Sequence, residues 1–521
     1  MLKLLFIVAG TAAYSLNTPS VSLGRTTTLR ISASSVQLNA ADSDAVDAAD
    51  AAAAADADAA DSPAEQERLE FAQTQLRDAL DQNDPVSTTP QLTENDHFKC
   101  DTSVAAWADF QRAGEEDAVS NAGSIATAIG GIATQGPDAA AYAATHGLRT
   151  GYFVANAVLG SLASELHERV RGNGGGGATV GSIGGGEEKS GGSSGSSPLA
   201  TLDASITTRL ALEAALCYET DWKRINAGEY KAPWDMTVGH RQTTARYAAR
   251  QTARFVREAV GTRARRNRGA PEDVGVWYDS PLYPDYFLNN FHYQTDGWLS
   301  RSSAEVYETS TETLFLGRQD CMQRPTLLPI KKAAADVSGR PLRILEVACG
   351  TGRFSTFVRD NYPDAEVTLV DLSPFYLEKA RDNDKYWRQR RGTKETPPAT
   401  FVQANAEKLP FEDGAFDAVL NVYLFHEMPA EARAAAAAEF ARVAKLGGVV
   451  VLTDSIQLGD RPALDDKMSN FGKLNEPHYV DYLNCDLPSL FEGLTPDEKW
   501  ITSTSKTLSF RKPVTEEGES E

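Results

Sequence analysis

Between residues 341 and 453, short apolar runs alternate with segments whose apolar positions recur every three to four residues. The runs predict strands at 342–347, 366–370, 400–403, 416–422 and 449–453. The intervening segments predict helices at 354–361, 374–384 and 430–444. Strands that are apolar almost throughout, separated by helices, specify an α/β fold in which a parallel sheet is covered on both faces. Residues 500–510 alternate with period two and are expected to close the sheet as an antiparallel pair. Upstream, helical periodicity predicts helices at 205–225, 240–268 and 302–317, with an Ala-rich helical region over 101–171 broken at Gly130-Gly131 and Gly136-Pro137.

The first predicted strand of the sheet runs into Glu346-Val347-Ala348-Cys349-Gly350-Thr351-Gly352. A strand, a glycine turn and a helix start form the first half of a nucleotide-binding βαβ unit. The glycines permit backbone angles that other residues avoid and let the main chain approach a ligand. Asp371 closes the second strand, where a carboxylate can accept both hydroxyls of a ribose. The ligand is therefore expected to be a nucleoside derivative. Ser355 stands where a dinucleotide fingerprint needs its third glycine, which disfavours a nicotinamide oxidoreductase. No Gly-Lys-Ser/Thr follows for a phosphate loop. Glu346, the glycine loop, Asp371 and Asn421 all fall at carboxyl ends of strands, where such sheets bind ligands.

The net charge of −21 argues against nucleic acid or an anionic lipid surface as the main partner. The five cysteines (Cys100, Cys217, Cys321, Cys349, Cys485) lie far apart, have no metal-ligand spacing and fit no disulfide framework. A reducing compartment and no metal are expected. Residues 1–13 read as a signal peptide, with Lys3 before an apolar run and Thr11-Ala12-Ala13 as a cleavage site. Residues 14–41 lack acids, carry Arg25 and Arg30 and are rich in Ser and Thr, which is transit-peptide composition. Together they resemble the bipartite plastid address of algae with complex plastids, with plain secretion or a primary transit peptide of a mitochondrion or simple plastid as the alternatives. An Ala/Asp tract (42–61) has little to bury and is expected to be disordered. A helical region (62–171) with a charged helix at 63–80, a Gly/Ser linker (172–198) and a helical accessory or lid region (199–300) follow. The catalytic domain (301–513) and an acidic tail (514–521) complete the chain. The apolar run 151–163 is too short to span a bilayer and reads as a buried helix or a weak peripheral membrane contact. The helix at 240–268 is basic along one side, a solvated face or a docking face for an acidic partner or lipid head groups. Aromatic residues crowd 283–300, as suits a pocket lid or a packed seam.

Glu346-x-x-x-Gly350-x-Gly352 resembles motif I of class I S-adenosylmethionine methyltransferases. Asp371-Leu372-Ser373-Pro374, Ala404-Asn405-Ala406-Glu407-Lys408-Leu409-Pro410-Phe411, Phe416-Asp417-Ala418-Val419 and Gly447-Gly448-Val449 extend the resemblance to the type 11 group, which includes the ubiquinone and menaquinone C-methyltransferases. The flanks Phe291-His292-Tyr293-Gln294-Thr295-Asp296-Gly297-Trp298, Phe425-His426-Glu427-Met428-Pro429 and Glu476-Pro477-His478-Tyr479 resemble a cyanobacterial and plastid subgroup.

The resemblance implies a Rossmann-like seven-stranded sheet and S-adenosylmethionine as cofactor, and the aromatic flanks with no basic groove in the catalytic domain favour a small, apolar or aromatic acceptor, quinone-, pigment- or lipid-like. The resemblance also implies roles. Glu346 orients the methionine end, the Ala348 to Gly352 loop lines it, and Asp371 holds the ribose. Leu372 packs on adenine, Asn405 and the Ala406 amide meet the ring, and Asn421 lies near the methionine amine. Asn405 stands where the family usually has Asp, and its carbonyl can still accept a hydrogen bond. His426 and Glu427, after the fourth strand, lie where family acceptor sites lie. His426, titratable near neutrality, is the first candidate base, with Glu427 and His292 as further candidates. A catalytically weak binding scaffold and a protein methyltransferase are the competing readings.

Overall fold

The computed structural model describes residues 97–113, 118–170, 204–236, 239–268, 280–468 and 475–514. The leader, the Ala/Asp tract, the helix expected at 63–80, the linker and the tail beyond Val514 lie outside the described residues.

The chain enters through β1 (Lys99–Cys100), α1 (Thr102–Ala113), α2 (Ala118–Ala133), α3 (Pro137–Val170) and α4 (Ala204–Asn226). Then come α5 (Ala245–Arg268), α6 (Arg301–Leu314), α7 (Gln319–Gln323) and α8 (Leu327–Ala335). The sheet region follows as β2 (Arg343–Val347), α9 (Arg353–Asn361), β3 (Glu366–Asp371), α10 (Pro374–Arg391), β4 (Thr400–Gln403), β5 (Phe416–Val422), α11 (Ala430–Val443) and β6 (Ala444–Ser455). Short helices α12 (Asp465–Met468) and α13 (Tyr479–Asn484) precede the hairpin of β7 (Thr495–Thr502) and β8 (Ser505–Arg511).

The sheet runs β1-β7-β8-β6-β5-β2-β3-β4. Strands β4, β3, β2, β5 and β6 are parallel, while β8 is antiparallel to both β6 and β7. This is the expected α/β sheet with one addition. The two-residue β1, from the helical N-terminal region, pairs with β7 and makes eight strands instead of seven. Its brevity hides it from any periodicity test.

Alternation across the pleat sorts the strand side chains into two cores. Ile344, Ala418, Leu420, Val449 and Val451 meet α8, α9 and α10 through Ile330, Phe357 and Leu377. Leu345, Val347, Val419, Val450 and Leu452 meet α11 through Ala436, Phe440 and Val443, and join the helical N-terminal region through Trp107, Tyr142 and Tyr218. Helix α10 outruns its expected end at 384. Its tail is charged, but Trp387 is 2% exposed and donates from Nε1 to Asp360 at 2.8 Å, which keeps the last turns folded. Helix α5 starts at Ala245 rather than 240, because His240 caps a separate 3-10 turn by accepting from the Gln242 amide at 3.2 Å.

Buried ion pairs fasten the helical part to the sheet part. Arg324, beside α8, donates to Asp221 of α4 at 2.8 and 2.5 Å, and both side chains are 1% exposed. Asp221 also accepts from Tyr230 at 2.8 Å and from Tyr142. The one candidate cation group among the described residues, His146, Asp221 and Cys321, shares this carboxylate. The Arg324 guanidinium already balances its charge. Arg149 of α3 reaches Glu312 at 2.5 Å and Asp320 at 2.6 Å, and Asp320 also pairs with Arg353 at the start of α9.

Candidate active site

Strand β2 lies between β3 and β5, so the chain leaves it in opposite lateral directions. A crevice opens at such a switch point, beyond the carboxyl ends of the strands. Here it encloses about 780 Å³, part of it open to solvent. Its floor and one wall are Ala348, Gly350, Asp371, Leu372, Asn405 and Ala406; Tyr286, Phe287, Phe291, Trp298, Tyr307, Tyr376 and Tyr423 form an aromatic wall, and Glu427 also borders it.

The loop after β2 is held from both sides. Ala348 has φ +53° and Gly350 φ +54°. The Gly350 amide donates to Asp371 Oδ2 at 2.7 Å, and the Ser373 amide donates to Asp371 Oδ1 at 2.8 Å. Burial pushes the Asp371 carboxyl up to about 6, with the amides of Ser373, Gly350 and Leu372 pulling the other way. Glu346 is buried under the loop, and its Oε2 has no hydrogen-bond partner. Burial, then the charge of Asp371, raises its carboxyl well above the usual range. Asn421 donates to the Val347 carbonyl at 2.9 Å, leaving its Oδ1 unpartnered. Neither Glu346 nor Asn421 borders the crevice; both lie beneath its floor.

Gly352 is not part of the crevice lining. A Cβ there would lie 2.9 Å from Ala380 Cβ at φ +69°, so this glycine lets α9 pack on α10. Gly352→Ala is expected to destabilise the fold by about 2–4 kcal/mol, combining a left-handed penalty with overpacking. Urea denaturation measures it, and wild-type stability would reject this role. Asn405 is engaged in its own turn: its Oδ1 accepts from the Glu407 amide at 3.0 Å and its Nδ2 donates to Glu407 Oε1 at 2.9 Å. Tyr286 donates to the same Glu407 oxygen at 2.7 Å, tying the aromatic segment to this wall.

That segment is both pocket wall and packed seam. Phe291 and Trp298 pack on Ala304 and Tyr376, and Ser373 donates to the Trp298 carbonyl at 2.5 Å. His292 and Tyr293 adopt positive φ, which turns the chain sharply between the aromatic side chains.

Beyond Glu427 lies a chain of charges. His426 Nδ1 is 2.6 Å from Asp454 Oδ1, and its Nε2 is 3.8 Å from Glu476 and 3.9 Å from Glu427. His292 Nε2 is 2.7 Å from Glu476, with a third of the His292 side chain open to solvent. Burial opposes charge on His426, but Asp454, Glu476 and Glu427 outweigh it and raise its pKa to about 10. His426 is therefore an imidazolium near neutrality, whereas a base must be neutral. Burial pushes the Glu427 carboxyl up to about 8, against the attraction of His426 and with repulsion from Glu476. Glu427 thus joins Asp371 as a carboxyl that borders the crevice and changes charge near neutral pH. Asp454 and Glu476 escaped the sequence reading as functional residues. The signal for Asp454 was its place at the carboxyl end of β6, matching Asp371 on β3.

The His426 shift has a sign. Its folded pKa lies above the unfolded value of 6.5, so the pairing stabilises fully below 6.5 and is lost as pH rises through about 10. Thermal melting across that window is expected to fall more steeply for wild type than for His426→Gln; parallel curves would reject the pairing.

A family model described as a methyltransferase domain matches residues 344–448. A fatty-acid O-methyltransferase of Mycolicibacterium smegmatis is 35% identical over 130 residues, 25% of this chain and 42% of that protein. A demethylmenaquinone methyltransferase of Thermus thermophilus is 35% identical over 114 residues, 22% of this chain and 47% of that protein. This chain thus spans less than half the length of these curated relatives. Among solved structures, an arsenic(III) S-adenosylmethionine methyltransferase from Chlamydomonas reinhardtii is 21% identical over 36% of this chain and 74% of that one, with a TM-score of 0.27. Residues 344–448 are thus similar to a methyltransferase domain, and the cofactor such a domain implies is S-adenosylmethionine.

Proposed function

We propose that this chain is an S-adenosylmethionine-dependent methyltransferase that acts on a small, apolar or aromatic acceptor in a plastid. The observation that carries the reading is the crevice, with an acid-bearing strand-end wall on one side and an aromatic wall on the other.

The residues fit the cofactor. Asp371 and Glu346 are buried carboxyls whose pKa values are raised, with no cationic partner for either among the described residues. Glu346 Oε2 and Asn421 Oδ1 are acceptors without donors. A ligand bringing positive charge above the floor would offset both carboxyls, and its ribose hydroxyls would donate to Asp371, the one of these groups that borders the crevice. Asp371 and the Gly350 backbone would hold its polar parts, and Leu372, Asn405 and Ala406 would hold its base. Bound there, S-adenosylmethionine supplies a methyl group on a sulfonium sulfur.

The other side of the crevice does the remaining work. Tyr286, Phe287, Phe291, Trp298, Tyr307 and Tyr376 give an acceptor an apolar bed and exclude water, as an in-line displacement requires. Glu427, at about 8, exchanges a proton near neutral pH, and the His426 imidazolium stabilises the carboxylate it leaves. An acceptor that must lose a proton therefore has a carboxylate to receive it. Glu427, rather than His426, takes the role of base.

The plastid location is supported by the composition of residues 1–41 and by five cysteines whose spacing fits no disulfide framework, as suits a reducing compartment. The scaffold reading draws on Asn405, whose carbonyl is already bonded to the Glu407 amide. Incubation of the protein with tritiated S-adenosylmethionine and a plastid lipid and pigment extract separates the readings. Label is expected in the organic phase. Label confined to the protein fraction would favour a protein acceptor, and cofactor binding without any transfer would favour the scaffold.

A further inference from the structure

Helix α3 exposes an unusual set of side chains. From Leu148 onward its solvent-facing positions are Leu148, Ala155, Leu159, Leu162, Leu166, Arg169 and Val170. Leu148, Leu166 and Val170 are 69%, 64% and 79% exposed. The spacing of three or four residues places the leucines on one face. Single exposed leucines are ordinary, but a continuous row marks an interaction surface.

Helix α5 lies alongside. Tyr152 donates to the Ala248 carbonyl at 3.2 Å, Thr252 to Asn156 at 2.8 Å, and Arg263 to Glu168 at 2.7 Å. A Cβ on Gly160 would meet Phe255 and Ala259 at 3.0 and 3.1 Å. Numbers rise together along both helices, so they run parallel. At about 100° per residue, the α3 leucines and the α5 residues Ala253, Val256 and Val260 turn to the same side of the pair. Arg246, Arg250 and Arg257 then project from its outer edge. The opposite side of α5 packs on α6, where Gln251 donates to the Glu305 carbonyl at 3.1 Å and Arg254 pairs with Glu305. The leucine side is therefore the outer one.

Charge names the occupant. The solvent-facing positions of α5 hold five arginines (Arg246, Arg250, Arg257, Arg266, Arg268) and no acid. Arg246, Arg250 and Arg257 form no ion pair among the described residues, and at physiological salt this local patch, rather than the net charge of −21 that counts against an anionic surface, sets the field met at contact. Among those residues no helix is long and apolar enough to cross a membrane. An apolar row with a cationic rim lies in the plane of an interface with anionic head groups. Two copies meeting face to face would set arginine rim against arginine rim.

We propose that the α3–α5 pair docks this protein on an anionic lipid surface, leucines in the acyl boundary and arginines at the head groups. Helix α6, beneath the pair, carries Tyr307 into the aromatic wall of the crevice, so the docked face and the acceptor side share one helix.

The test uses the full chain with vesicles of phosphatidylcholine alone or mixed with phosphatidylglycerol. Sedimentation is expected with the mixed vesicles and to weaken with salt. Arg246→Gln, Arg250→Gln and Arg257→Gln together should lower partition about a hundredfold, as follows from about 1 kcal/mol per basic residue at such a surface. Leu159→Ser, Leu162→Ser and Leu166→Ser together should lower it as well, with S-adenosylhomocysteine affinity and melting temperature unchanged. Absence of binding to mixed vesicles, or binding that neither variant alters, would overturn the proposal. So would a wild-type dimer in light scattering that the leucine variant converts to monomer, or loss of lipid binding in favour of an acidic protein. None of these readouts depends on methyl transfer.

Discussion

Glu427→Gln is expected to lower turnover about 10²–10⁴-fold, the usual worth of a positioned acid or base, while leaving S-adenosylhomocysteine affinity intact. The wild-type rate should rise with pH to a midpoint near 8, because the carboxyl must lose its proton before it can accept one. The variant should lack that limb. His426→Gln supplies an independent readout. It removes the cation 3.9 Å from Glu427, so the limb should move to higher pH while the residue that changes charge stays the same. A glutamine variant with wild-type turnover and an unchanged pH profile would end the assignment. Initial rates across that pH range decide it.

Asp371→Ala should weaken S-adenosylhomocysteine binding about a hundredfold. Hydrogen bonds to a charged group contribute about 1.5–3 kcal/mol each. The same carboxylate also fixes the Gly350 amide at 2.7 Å and the Ser373 amide at 2.8 Å, so its removal frees the loop as well. Asp371→Asn keeps one acceptor and should fall between. Calorimetric titration separates the three proteins, and equal affinities would place the ribose elsewhere.

The parallel sheet was legible because its strands are buried on both faces and its helices on one. Two different periods therefore alternate along the chain, and the limits of β2 to β5 read from them agree to within one residue, while β6 starts five residues before its expected 449. Where polarity and packing disagree, the reading fails. The last turns of α10 look like solvent-facing charge, yet Trp387 anchors them. The cofactor side of the site was legible for a related reason, since the glycine loop and Asp371 are fixed by local backbone geometry. The acceptor side was not. His426 looks like a neutral-range titrator until Asp454 and Glu476, brought in from two separate segments, join its neighbour Glu427 around it. Gly352 and Gly350 look alike in sequence, and the neighbour of one is Ala380 while the other borders open space.

The ion pairs that span the helical and sheet parts govern how the protein can be divided. A clone beginning at residue 301 would keep Glu312 and Arg324 but discard their ion-pair partners Arg149 and Asp221, while Asp320 would retain Arg353. Each orphaned charge costs about 3–5 kcal/mol when its partner is removed from a buried pair. Two such losses approach the whole stability of an ordinary domain. The excised fragment is therefore a poor reagent for drug screening or crystallisation, however complete its catalytic groups.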